Sequence, residues 1–377
     1  MKRLKTVRNI MAGAMLAAVS ITSLGTAPAS AQDVPDDLTV MPPVPTDFDP
    51  PKTAWGDPDL RGTWPIDNIA SLPMQRPKQY GARFWLTPEE YAQRQEQANR
   101  SDQAYEAEDK NNTIGMGHWV ESDASGHRTS LLIDPADGQL PPFTEEAKKL
   151  MAAGRTSWTP NTQWNWVTDF DSWDRCVSRG FPASMFPFRY NNGIRVYQSP
   201  GYVVIALEML GTRVIPITDK NSAKWPSEVE AWLGHSVGHW EGNTLVIETT
   251  NIKSGDSATE NSFARNASPL NMATMGVPPF NVIPTSKEAK VVERLTMTGP
   301  DSIVYEATYS DPKVFTAPWT ARLDWTRNDD YEFFEYACHE GDVQVRNYIT
   351  SSRAGQLKAA SEADVATEGS SGGGGSR

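Results

Sequence analysis

The sequence is poor in histidine and cysteine, with five His and two Cys in 377 residues. It lacks a His-Glu-x-x-His helix, a dinucleotide-binding glycine turn and a phosphate-binding P-loop. These absences argue against zincins, nicotinamide-dependent enzymes and kinases. After residue 31, no apolar run approaches the roughly 18 residues that span a bilayer, so we expect no membrane span.

The first 31 residues have the pattern of a secretory signal peptide. Four cations precede an apolar run over residues 10–24, and Ala29-Ser30-Ala31 offers a cleavage site. We predict cleavage after Ala31 and a periplasmic or secreted protein. Cleavage leaves 31 Lys and Arg against 47 Asp and Glu, a net charge of about −16. Such an acidic surface argues against nucleic acid and anionic membranes as partners, because both require basic patches.

The two cysteines, Cys176 and Cys338, predict one disulfide. Exported chains fold where disulfides persist, and an even number of cysteines favours pairing. Two alternatives are a metal or thiolate site that includes the neighbouring His339 and Glu340, and a pair of buried free thiols. The spacing matches no strong zinc motif.

Capping signals and composition divide the chain. Residues 32–58 are rich in Pro and Asp and predict an extended arm. Helices are predicted over residues 87–109 and 144–154, where a Thr precedes acidic residues in the first turn, and a third over residues 226–233. The Gly- and Ser-rich end, residues 363–377, predicts a flexible tail or a linker remnant.

Most of the remaining chain has the period-two pattern of β-strands. The predicted strands are residues 194–198, 202–209, 212–217, two strands around Gly242-Asn243, 291–297, 303–309, 320–326 and 331–337. Short strands with tight turns predict a mostly β, antiparallel fold over residues 59–362, barrel-like or a curved sandwich, with a few short helices. Gly62-Thr63-Trp64 resembles the Gly-x-Trp start of lipocalin barrels, so a lipocalin-like barrel is one form of this prediction.

Five motifs resemble a widespread, uncharacterised family of exported bacterial proteins. They are Asp57 to Trp64, Arg175 to Gly180, residues 208–216, Trp240 to Asn251, and Tyr336 to Gly341. The resemblance covers most of the chain and implies one exported unit, but it implies no activity. The family usually has Asp-Ser at His235-Ser236, a basic residue at His239 and an Arg-Pro-His segment that residues 219–225 lack. A site built on that missing histidine would be absent here.

The strongest catalytic candidate is His339 with Glu335. If residues 331–337 form a strand, Glu335 and His339 share one face, and the carboxylate can tune the imidazole for acid–base chemistry. The alternative is a structural histidine at the end of a strand. Glu208 ends an apolar strand and requires a partner if it is buried; Arg213, across the next turn, is that candidate. A pair of this kind is more often structural than catalytic.

His235 and His239 are spaced as helical neighbours, but two glycines lie in their segment and a strand follows. On a strand the two residues lie roughly 13 Å apart, so one ion cannot bind both. We therefore predict no metal site, and keep His235 as a candidate polar residue of the site.

Candidate ligand contacts cluster in an aromatic and acidic segment before Cys176. Exposed Trp rings stack on ligands, although Trp also fills loops held by a disulfide. Uncharged residues that follow are suited to orienting a neutral ligand, with the alternative that Asn191 belongs to a turn. The predicted substrate-binding residues are Trp164, Trp166, Trp173, Tyr190, Asn191, Gln198 and Trp240.

These observations predict an exported enzyme that performs acid–base chemistry without a cofactor, as a lyase, isomerase or hydrolase, on a neutral apolar or aromatic small molecule. The predicted catalytic residues are His339, Glu335, Glu208, Arg213 and His235. The alternative is a periplasmic barrel-type protein that binds a small molecule without catalysis. The sequence indicates neither the substrate nor an oligomeric state.

Overall fold

A computed structural model describes residues 34–113, 126–157, 159, 163–218, 225–271, 273 and 279–371. The predicted signal peptide and residues 219–224 of the segment that departs from the family lie outside the described residues. All statements below that something is absent apply to the described residues alone.

In these residues the protein is mostly β, with two antiparallel sheets. One sheet has the order β1-β3-β4-β5 and the other β2-β10-β9-β8-β7-β6. The described strands therefore do not form a single closed barrel. The strands are β1 (Gly62–Thr63), β2 (Leu132–Asp134), β3 (Ile194–Ser199), β4 (Tyr202–Leu207), β5 (Thr212–Pro216), β6 (His235–Glu241), β7 (Thr244–Thr250), β8 (Lys290–Gly299), β9 (Ser302–Ser310) and β10 (Trp319–Thr326).

Each sheet buries one face because apolar residues alternate along its strands. Ile205 of β4, Ile247 of β7 and Tyr305 of β9 all belong to one apolar cluster, so the two sheets share a core. The sheets also meet at one edge. Ile217, just after β5, forms a parallel bridge with Gly238 of β6. The alternation that predicted the strands thus also defines which sides of the sheets face each other.

Two of the three predicted helices are confirmed. Helix α1 (Pro88–Lys110) begins with a capping box in which the Thr87 hydroxyl accepts from the backbone N–H of Glu90 and the Glu90 carboxylate accepts from that of Thr87. Helix α2 is Glu145–Ala153. The prediction of a helix over residues 226–233 is wrong. The side-chain amide of Asn251 donates to the carbonyls of Pro226 and Val229, 2.8 Å each, so a turn forms there instead.

The chain after β10 differs most from the prediction. Residues 331–337 contain no strand, and they lead to a one-turn helix, α3 (Cys338–Gly341), and then to α4 (Val343–Ser371). Helix α4, with 29 residues, was not predicted. Helix α4 also covers much of the predicted tail; residues 372–377 lie outside the described residues. No described helix is both long and apolar enough to cross a membrane.

The N-terminal arm lies against the rest of the protein. The Val40 carbonyl accepts from the Trp85 indole N–H at 2.9 Å, and the Pro42 carbonyl accepts from Arg322 of β10 at 2.8 Å. These contacts satisfy arm carbonyls with buried donors, so the arm is part of the folded unit.

Candidate functional site

The predicted disulfide between Cys176 and Cys338 is present, with 5.7 Å between the two Cα atoms. Neither cysteine is free, which removes the metal, thiolate and free-thiol alternatives. The bond joins the Trp-rich segment to α3, only five residues before α4 begins. It therefore holds the start of α4 against the segment that precedes Cys176.

A cleft of about 330 Å³ lies at this junction, which we call the α4 cleft. Its volume is at the lower end of the range for small-molecule sites. One side of the cleft comes from the segment before Cys176. The other side comes from Asp342, which follows α3, and from the first turns of α4. The described lining residues are Ser157, Trp164, Phe170, Asp174, Asp342, Gln344, Val345 and Tyr348.

Three aromatic side chains form the apolar part of the α4 cleft. The rings of Trp164 and Phe170 stack at 4.3 Å between centroids, and the Tyr348 ring lies 6.4 and 6.3 Å from them. Arg155 lies over the Trp164 ring at 5.7 Å. Trp164 was predicted from the sequence as a ligand contact, and it does line the cleft. Its contacts with Tyr348 tie the Trp-rich segment to α4.

Two carboxyl groups, those of Asp174 and Asp342, face the same cleft. Burial raises the pKa of Asp174; a hydrogen bond from Ser157 lowers it, and the charge of Asp342 raises it again. Burial also raises the pKa of Asp342, against the lowering effects of the Val345 backbone N–H and of His339. Both carboxyls therefore hold a proton at higher pH than an exposed Asp does.

Behind the cleft, Asp171 pairs with Arg265. The Asp171 carboxylate accepts from the Arg265 guanidinium at 2.7 Å, and both side chains are buried. Burial raises the pKa of Asp171 to about 7, although the Arg265 charge lowers it. The Ser157 hydroxyl accepts from the Asp171 backbone N–H at 2.7 Å. Since Ser157 also bonds to Asp174, one hydroxyl connects the buried pair to the cleft.

His339 and Glu335 do not form the predicted pair on one strand face, because their segment is not a strand. His339 lies exposed on α3, and Glu335 lies exposed in the irregular segment before it. The His339 carbonyl accepts from the backbone N–H of Asp342 at 3.3 Å. His339 is thus close to Asp342 but is not among the described lining residues of the α4 cleft.

Glu208 is buried, but Arg213 is not its partner. Its carboxylate accepts from the side-chain amide of Asn191, the backbone N–H groups of Gly193 and Phe334, and the Tyr331 hydroxyl, at 2.7–3.1 Å. Four donors satisfy the buried charge. Glu208 therefore anchors the segment that leads from β10 to the disulfide.

Arg213 pairs with Glu293 between the two sheets. Its guanidinium donates to both Glu293 oxygens, one at 2.8 Å, and to the Ser236 hydroxyl at 3.0 Å. The Tyr305 hydroxyl donates to the same carboxylate at 2.9 Å. Burial raises the pKa of Tyr305 well above its ordinary value, so its hydroxyl stays protonated as a donor. Arg213 is enclosed in the core and is not among the described lining residues of the α4 cleft.

His235 and His239 lie on β6, as the glycine pattern indicated. The His235 ring stacks on Trp225 at 4.3 Å, and the His239 imidazole lies 3.3 Å from the Glu241 carboxylate. The two histidines thus have separate surroundings. Among the described residues, no group of three or more His, Cys, Asp or Glu side chains is placed to hold a metal ion.

The other predicted contacts lie away from the described lining of the α4 cleft. Trp173 packs edge-on against Phe188, and Tyr190 bonds to Tyr336, beside the disulfide. The Gln198 side chain bonds to the backbone of residues 58 and 60, and thus fixes the arm. Trp166 is 60% exposed and lies beside Arg353. Trp240 packs on the core, and the side-chain amide of Asn191 donates to the Glu208 carboxylate.

Sequence reasoning missed the residues on the α4 side of the cleft. Asp342 and Tyr348 lie in a segment for which the sequence predicted no site residue. One signal did exist: a disulfide at Cys338 places the residues after it next to the Asp- and Trp-rich segment before Cys176. Asp174 was noted only as part of that acidic segment.

Comparisons with protein families, curated proteins and solved structures gave no match to the chain. The family resemblance of the five motifs therefore stays a prediction, and the functional argument rests on the geometry of the site.

Proposed function

We propose that the protein is an exported enzyme that performs acid–base chemistry on a small aromatic or apolar molecule in the α4 cleft. Asp174 and Asp342 are its acid and base, and the chemistry requires no redox cofactor. Lyase, isomerase and hydrolase reactions all fit, because each can proceed by paired proton transfer.

The carrying observation is that two carboxyls with raised pKa face one cleft with aromatic walls. A general acid must hold its proton near the working pH, and a base must then accept one. Because the charge of Asp342 raises the pKa of Asp174, the two carboxyls lose their protons one after the other. In the singly protonated state, Asp174 donates and Asp342 accepts, as in other paired carboxyl sites.

We also infer that the two sheets form a curved sandwich, one of the two forms predicted from the sequence. The shared apolar core and the bridge between Ile217 and Gly238 support this arrangement. The α4 cleft lies outside that core, at the disulfide.

The test combines a reaction screen with carboxyl variants. The oxidised protein is incubated with single-ring aryl esters, aryl glycosides, hydroxylated phenylpropanoids and arylalkylamines, and NMR detects new products. We expect turnover of at least one class, reduced about 100-fold or more by Asp174→Asn or Asp342→Asn. The control is Asp330→Asn, which changes an exposed carboxyl away from the described lining of the cleft.

Binding measured in parallel separates the enzyme from the alternative. If panel members bind in the cleft but wild-type protein converts none of them, the protein is a small-molecule binding protein. If turnover persists unchanged in both Asn variants, the assignment of Asp174 and Asp342 is wrong.

A further inference from the structure

We propose that the ligand of the α4 cleft is an organic cation: a small amine or quaternary ammonium that carries one aromatic group. This inference rests on the cleft used in the proposed function, and it names the chemical class of its ligand. It does not depend on catalysis.

The charge of the described cleft lining is one-sided. It contains two carboxyls, Asp174 and Asp342, and no Lys, Arg or His. Guanidinium groups lie near the cleft but outside its described lining, and the charges of Arg265 and Arg175 lower the pKa of Asp174. Arg265 pairs with Asp171 at 2.7 Å, and Arg155 pairs with Asp169 and Glu260 at 2.9 and 2.7 Å. A ligand with an ammonium group would therefore supply the positive charge that the described lining lacks.

The aromatic walls favour the same ligand class. The rings of Trp164, Phe170 and Tyr348 surround one side of the cleft with centroids 4.3–6.4 Å apart. Aromatic faces attract ammonium groups through their quadrupoles and pack against an aromatic ligand through apolar contact. The carboxylates thus match the ammonium group of an arylalkylamine, and the aromatic rings of the cleft match its ring. A volume of about 330 Å³ suits a ligand with one ring.

Neutral and anionic ligands fit the cleft less well. An anion is repelled by Asp174 and Asp342, and the chain as a whole carries a formal charge of −12. A neutral ligand would displace water from both carboxylates without compensating their charge, which costs binding free energy. The expectation of a neutral ligand relied on Tyr190, Asn191 and Gln198, none of which is among the described lining residues.

The experiment uses three probes of similar shape and different charge: 2-phenylethylamine, 2-phenylethanol and phenylacetate. Binding to the oxidised full chain is measured by titration calorimetry at pH 7.5. We expect the amine to bind at least ~10-fold more tightly than the alcohol, and phenylacetate to bind more weakly than either. Asp174→Asn and Asp342→Asn should each weaken amine binding about 5-fold or more and change alcohol binding less than about 2-fold. Asp330→Asn is the matched control.

Three results would overturn the proposal: alcohol binding as tight as amine binding, an amine preference that survives both Asn substitutions together, or no amine binding at millimolar concentration. If Asp174→Asn fails to fold, Asp342→Asn decides, because Asp342 is only partly buried. Amine binding without any turnover keeps this proposal and rejects the enzyme. Turnover of neutral compounds without a preference for amines would support the enzyme and reject the organic cation as the ligand.

Discussion

Removal of the disulfide should destabilise the protein strongly. In the double variant Cys176→Ser and Cys338→Ser, the unfolded chain regains the freedom that the bond removes. The two cysteines are 162 residues apart, so the closed loop is long. The chain-entropy model then gives about 5 kcal/mol of lost stability.

The same substitution should also open the α4 cleft. The start of α4 would still be held by the anchor at Glu208 and by contacts near the Trp-rich segment, where the Ser352 hydroxyl accepts from the Trp164 backbone N–H at 2.8 Å. Those contacts are few, and most of α4 is exposed. We therefore expect faster hydrogen exchange in α4 while the strands of both sheets remain protected.

Urea unfolding followed by circular dichroism measures the stability loss. Wild-type protein treated with a reductant should match the double variant, and the reductant should leave the variant itself unchanged. A stability loss below about 1 kcal/mol would show that the unfolded state gains little freedom and would refute the reasoning. Unchanged hydrogen exchange in α4 would show that the disulfide is not what holds this wall of the cleft.

Three further predictions concern buried charges. Glu208→Gln replaces an acceptor of four hydrogen bonds by a group with its own donors, and should cost about 3 kcal/mol in urea unfolding, whereas Glu335→Gln should have no effect. Arg213→Met leaves Glu293 buried without its cation and should cost about 3–5 kcal/mol of unfolding free energy. Substitution of both residues by Met should recover most of that loss. Equal losses in the single and the double variant would contradict this reasoning. Burial raises the pKa of Asp171 to about 7 in the folded state, so the folded state binds this proton more tightly than the unfolded state does. The stability that the bound proton contributes is therefore lost as pH rises from about 4 to about 7. The stability of wild type relative to Asp171→Asn should therefore fall over that window in unfolding curves taken at each pH, and a rise would refute the pKa direction.

The strands and the first two helices were predictable because local signals determine them. Alternating apolar residues mark β3 to β10, and a Thr with acidic residues after it marks the starts of α1 and α2. The end of the chain was not predictable in this way. Residues 331–337 have the alternation of a strand, but the Phe334 backbone N–H and the Tyr331 hydroxyl bond to Glu208, a residue 123 or more positions away. No local pattern reports such a contact.

The partners of buried charges were equally hidden from the sequence. Glu208 and Arg213 are close along the chain, yet each bonds to residues that other elements bring in. Their closeness in the sequence suggested a pair across the turn. Residues on two neighbouring strands can nevertheless face different surroundings, even when a single turn connects the strands. Arg213 points into the space between the sheets, where Glu293 of β8 lies.

The location of the site follows from how the core is filled. Between the sheets, large side chains such as Tyr305, Trp319 and Trp325 are fully buried, and so is the Arg213–Glu293 pair. A ligand in that space would have to displace packed side chains, which costs several kcal/mol. The α4 cleft requires no such displacement, because it lies where two segments outside the sheets meet at a disulfide. The sheets thus act as the support, and the residues that line the α4 cleft come from loops and from α4.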